Sequence, residues 1–80
     1  MEQLQLFDYH QIKAERIYNE LLDKRKARGD LYYRPSPEAI KTCWSVKSMV
    51  RHMKQGAEIK IRCFWGWYDW RAYYPDGRVY

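Results

Sequence analysis

Cations and aromatic rings are the side chains of this 80-residue chain that recur at a spacing suited to chemistry, and they do so between Ala57 and Tyr80. Lys60, Arg62 and Phe64 alternate with Ile59, Ile61, Cys63 and Trp65. Beyond Gly66, Asp69, Arg71 and Tyr73 alternate with Tyr68, Trp70, Ala72 and Tyr74. A period of two marks β-strands, here with one apolar side and one side that is basic and aromatic. Rings offer faces on which bases stack, and guanidinium and ammonium groups neutralise phosphates, so the second side suits single-stranded nucleic acid. The competing reading is structural: Phe64, Trp67 and Tyr73 lie under a helix and the arginines line its rim.

The two strands close into a hairpin if Gly66-Trp67 forms a two-residue type II′ turn with Gly at the positive-φ position. That register pairs Trp65 with Tyr68, Cys63 with Trp70, Ile61 with Ala72 and Ile59 with Tyr74, all on the apolar side. Phe64 then opposes Asp69, Arg62 opposes Arg71 and Lys60 opposes Tyr73. Two arginines directly across a strand pair repel unless an anion or a carboxylate intervenes.

Catalytic constellations are missing from the sequence. There is no Gly-rich phosphate loop, HExxH, CxxC or nucleophile elbow. His10 and His52 lie far apart, as do Cys43 and Cys63, which gives no metal-ligand spacing and no cofactor site. Glu15, Glu20 and Asp23 fall on a polar helix face, and Asp69 and Asp76 read as a cross-strand partner and a turn residue. The expectation is a non-enzymatic protein.

The net charge is +5, and between Ala39 and Tyr68 six Lys or Arg (Lys41, Lys47, Arg51, Lys54, Lys60, Arg62) face one carboxylate, Glu58. Such a field favours nucleic acid or an acidic protein and weakens with salt. At 46% hydrophobic and 18% aromatic the chain can build one small core. No apolar run approaches a membrane span and no secretory h-region is visible, so the expected setting is cytoplasmic, with no membrane partner. Cys43 and Cys63, each on an apolar face, read as reduced core thiols.

Two helices must carry these strands. The first is expected from about Tyr9 to Arg28, stopped by Gly29, with Ala14, Ile17, Tyr18, Leu21 and Leu22 as its buried stripe and His10 at the edge. Its basic end, Lys24-Arg25-Lys26-Ala27-Arg28, is explained equally by the helix dipole and by phosphate binding. A connector with Pro35 and Pro37 follows. Ser36 then caps a second helix, Pro37 at N1, running to about Gln55 and burying Ala39, Cys43, Val46, Val50 and Met53. Trp44, Lys47 and Arg51 line up off that stripe, with His52 beside them. Trp44 packs on the first helix, rests under a cation, or meets a partner. Tyr74-Pro75-Asp76-Gly77-Arg78 is a turn that adds a short third strand to Tyr80.

Gln3-Leu4-Gln5-Leu6-Phe7 resembles the QLxLF pentapeptide by which bacterial Y-family polymerases, mismatch-repair proteins and replication initiators dock on the sliding clamp. The resemblance implies that Gln3, Leu6 and Phe7, with Leu4 between them, enter a clamp pocket from a mobile tail. The same residues have a structural use. Asp8 with Gln11 forms a capping box, and Phe7 with Ile12 a hydrophobic staple at the start of the first helix.

The sequence therefore predicts an α+β protein: a tail over residues 1–8, then a single domain over 9–80 with two helices packed on one face of a three-stranded antiparallel meander. The leading expectation is a small accessory protein of DNA or RNA transactions, of the kind a bacterium, phage or plasmid encodes. It binds nucleic acid through Lys60, Arg62, Phe64, Trp67, Arg71 and Tyr73, extended by Lys47 and Arg51, with clamp recruitment through the tail. The alternative is a protein-binding inhibitor or adaptor that uses the same Trp, Tyr and Arg surface as a hot spot. A third arrangement is a homodimer that buries the open face.

Overall fold

The computed structural model describes residues 6–28 and 35–80, with side chains from Tyr9 onward. Its elements are α1 (Leu6–Ala27), α2 (Pro37–Thr42), α3 (Trp44–Lys54), β1 (Glu58–Phe64) and β2 (Trp67–Tyr73). The class is α+β, with a two-stranded antiparallel sheet in place of the expected three-stranded meander. The Pro75-Asp76-Gly77 turn forms as its residues dictate: Gly77 takes φ +97° and its N–H donates to the Tyr74 carbonyl at 3.0 Å. The returning chain then makes one bridge, Tyr73 with Val79, anchored by Tyr74 N–H to Arg78 O and Tyr80 N–H to Ala72 O, both at 2.9 Å. One bridge is too little ladder for a strand.

The expected capping box is overturned: α1 already includes Leu6, Phe7 and Asp8, so Asp8 lies inside the helix rather than at its cap. The stripe is as its spacing requires. Ala14 and Leu21 are fully buried and Ile17 and Tyr18 pack beside them, while Lys13, Arg16, Glu20 and Asp23 are exposed. The Gly29 stop and most of the connector, residues 29–34, lie outside the described residues.

The expected second helix is two helices. Ser36 caps α2 as predicted, its hydroxyl accepting from Ala39 N–H at 3.2 Å with Pro37 at the first turn. At Cys43 the backbone opens to ψ 141°. The hydroxyl of the preceding Thr42 donates to the carbonyls of Glu38 and Ala39 at 3.3 Å each, a local bond that competes with helix continuation. Helix α3 restarts from the Cys43 carbonyl, which accepts Lys47 N–H at 3.0 Å. The break turns Ile40 inward and leaves Ala39 exposed, contrary to the single-helix stripe. Along α3, Val46, Met49, Val50 and Met53 recur at i, i+3, i+4 and i+7 and close the core with Ile59, Trp70 and Ala72.

His52, expected off the buried stripe beside Trp44, Lys47 and Arg51, is buried. Its Nδ1 hydrogen-bonds the Tyr74 hydroxyl, its ring lies 4.2 Å from that of Tyr80, and Trp70 meets it edge-on at 6.2 Å.

The hairpin turn falls one residue earlier than predicted. Trp65 (φ +54°) and Gly66 (φ +84°) form the loop, both with the positive φ that a type I′ turn demands. The pairs are Phe64 with Trp67, Cys63 with Tyr68, Arg62 with Asp69, Ile61 with Trp70, Lys60 with Arg71, Ile59 with Ala72 and Glu58 with Tyr73. Each β1 residue pairs two positions nearer the turn than expected, an even shift, so the assigned strand faces survive and the partners change. Arg62 now faces a carboxylate rather than Arg71. The two residues at the turn exchange roles: Trp67 joins the outer face of β2, and Trp65 leaves the apolar face for the tip. Tyr74, freed from Ile59, packs on His52. Cys63 shares the inner face but is exposed, so it is not a core thiol; Cys43 is half-buried, and both are free.

Candidate nucleic-acid interface

Helices α1 and α3 pack on the side of the sheet that carries Ile59, Trp70 and Ala72, which places the even residues of β1 and the odd residues of β2 on the reverse side. Among the described residues no element covers that side: Lys60, Arg62, Phe64 and Trp67 are exposed, and Asp69, Arg71 and Tyr73 are half-buried. Six of the eight residues expected to bind nucleic acid, Lys60, Arg62, Phe64, Trp67, Arg71 and Tyr73, thus share one surface. Lys47 and Arg51 do not join it. They are exposed on α3, in the helix layer across the sheet from the outer face.

The outer face is ordered by its own contacts. Arg62 donates to the Tyr73 hydroxyl at 3.2 Å and its guanidinium lies 5.8 Å from the Phe64 ring centroid. The Lys60 ammonium sits 5.5 Å over the Tyr73 ring. Arg71 bonds Asp69 at 2.8 Å, and the other Asp69 oxygen accepts Trp70 N–H at 2.8 Å. These contacts hold the long side chains against the sheet while leaving their charges wet. Lys60, Arg62 and Arg71 set against Glu58 and Asp69 leave the face at +1.

At the turn end a second cationic group arrives that spacing could not reveal. Arg25 donates from Nε and Nη2 to the Tyr68 carbonyl at 3.2 and 3.1 Å, pinning the end of α1 beside the hairpin. The Lys24 ammonium lies 5.7 Å over the Tyr68 ring. Arg28 Nη2 lies 3.5 Å from where a Cβ on Gly66 would stand. The basic end of α1 therefore reaches the hairpin turn at Gly66 and Tyr68, the neighbours of Trp65 and Trp67; Phe64, Trp65 and Trp67 are 52%, 84% and 63% exposed. The sequence shows both clusters, but the contact joining them spans 43 positions and has no local signal.

Trp44 is 65% exposed, and among the described residues no cation or ring contact covers it, so it does not pack on α1 as one expectation had it. For the pentapeptide, Gln3 and Leu4 lie outside the described residues, and Leu6 and Phe7 belong to the first turn of α1.

Among the described residues no group of His, Cys, Asp and Glu could hold a metal, and no helix is long and apolar enough to cross a membrane. Burial alone would raise the Cys43 thiol. Hydrogen bonding from Tyr18 and from the Ser45 and Val46 amides at the start of α3 outweighs that and holds it below the ordinary cysteine value. Compared with known proteins, the chain matches no family model, no curated protein and no solved structure.

Proposed function

We propose that this chain is a small accessory protein of nucleic-acid transactions, without chemistry of its own, that holds single-stranded nucleic acid on the outer face of the hairpin. The observation that carries the reading is the uncovered cross-strand pair Phe64 and Trp67 with Arg62 beside it. An exposed aromatic pair on a rigid strand surface is a stacking platform, where each base contributes about 1–3 kcal/mol. Arg62, Lys60 and Arg71 follow along the strands toward Tyr73 and supply phosphate contacts at the spacing of the pleat.

Anisotropy of a labelled single-stranded oligonucleotide, titrated with protein at two salt concentrations, tests this. Binding should weaken with salt at a log–log slope of about −0.7 per phosphate contacted. Trp67→Ala and Arg62→Ala should each weaken it about fivefold or more. Absence of binding at low salt, or binding indifferent to both substitutions, rejects the proposal.

A second reading, the protein-binding inhibitor or adaptor, draws on the near-neutral balance of the face. Glu58 and Asp69 sit among the cations, and Trp, Tyr and Arg are the usual anchors of a protein interface.

A further inference from the structure

Trp65 is the residue of the hairpin that its fold does not need. Type I′ turns favour Asn or Gly at the first loop position because φ is positive there. A bulky indole at φ +54° is strained, and 84% of its surface is in water, so neither the backbone nor the core gains from it. Its contact with Phe64 fixes its direction: the centroids are 5.9 Å apart and the planes cross at 84°. A base stacked on Phe64 is thus nearly perpendicular to a base stacked on Trp65, and the two cannot belong to one continuous stack. Beside this corner stand Lys24 and Arg28 of α1.

Building on the single-strand reading above, we propose that the hairpin tip takes the junction where a single strand leaves a duplex end. Trp65 caps the outermost base pair. The unpaired strand turns through about a right angle on to Phe64 and Trp67. Lys24 and Arg28 neutralise the phosphates at that corner. A capping ring is indifferent to sequence because every pair presents a π-face, so the site reads the shape of the junction.

Three labelled probes test it: a single strand, a blunt duplex, and the same duplex extended by that single strand. The extended duplex should bind about fivefold or more tightly than either part, the lower end of what one stacked base contributes. Trp65→Asn, which suits the turn, should raise the melting temperature or leave it unchanged while reducing the extended duplex to the affinity of the single strand. Arg28→Gln should weaken the extended duplex more than the single strand. Equal affinity of the wild-type protein for single strand and extended duplex overturns the junction assignment alone. So does a preference that survives Trp65→Asn, or a blunt duplex bound as tightly as the extended one. Failure to bind any probe removes the single-strand reading along with it.

Discussion

Trp67 and Trp70 stand three residues apart on one strand and are used in opposite ways. Trp70 points at the helices, is 6% exposed and touches His52 edge-on; Trp67 points away from them and is 63% exposed. Strand parity separates them, since an odd step puts neighbours on opposite faces. Covering only one face makes the separation matter. Helices α1 and α3 supply Ala14, Leu21, Val46 and Met49 to Trp70, whereas among the described residues the reverse face is covered by its own rings and cations. A hairpin of two strands is marginal alone. Here the inner face holds the molecule together, which leaves the outer face without a packing duty.

The sharpest way to break the contrast is to truncate each indole. Trp70→Ala should cost about 3–5 kcal/mol, the usual range for removing a large aromatic from a core. In a domain this small such a loss leaves little folded protein. Trp67→Ala should change stability by no more than about 0.5 kcal/mol, as expected away from the core. Urea unfolding followed by far-UV circular dichroism measures both. A large stability loss in Trp67→Ala would mean that the outer face is structural after all.

A second test acts on the inner face through pH. Burial, reinforced by the neighbouring Arg51 charge, lowers the His52 pKa from its ordinary value near 6.5. The folded protein therefore holds His52 neutral where the unfolded chain begins to take up a proton. Stability should be full above about pH 6.5 and decline as pH falls through that value toward the lower folded pKa. The loss should be felt at the ring cluster of Trp70, Tyr74 and Tyr80. His52→Gln should flatten the dependence of the urea midpoint on pH between 7 and 5. An unchanged slope in that variant would place the acid sensitivity elsewhere.

The two faces also differ in how far the sequence could disclose them. Alternation assigned Ile59, Trp70 and Ala72 to the inside and Lys60, Arg62 and Phe64 to the outside, and an even shift of register could not undo that. The same evenness is why the turn was misplaced: Gly66-Trp67 and Trp65-Gly66 satisfy the pattern equally, and only strand pairing distinguishes them. Ser36-Pro37 and Pro75-Asp76-Gly77 were readable because caps and turns are set by local backbone chemistry. The break at Cys43 depends on Thr42 bonding backwards, which a continuous apolar stripe conceals. His52 looked solvated because its neighbours on the helix are cations, while its cover comes from Tyr74 and Tyr80, more than twenty positions away. The candidate surface was legible as six residues of one face; its extension to Lys24, Arg28 and Trp65 was not, because a long-range contact joins it.

Asp69→Asn removes one charge at little cost in stability, and it separates the two readings of the outer face. The Asp69–Arg71 pair is exposed at 41% and 38%, so its loss should cost at most about 1 kcal/mol, and the amide oxygen can still accept from Trp70 N–H. Electrostatically the change is larger in proportion, because it takes the face from +1 to +2 and releases Arg71. If the ligand is polyanionic, oligonucleotide affinity should rise a few-fold and the salt dependence should steepen as Arg71 becomes a phosphate contact. If the face is built for a protein of mixed charge, Asp69 is part of the complementarity and removing it weakens the complex instead. Stability held constant with a steeper salt slope favours nucleic acid; an unchanged slope and unchanged oligonucleotide affinity leave Arg71 outside any phosphate path and remove it from the proposed site.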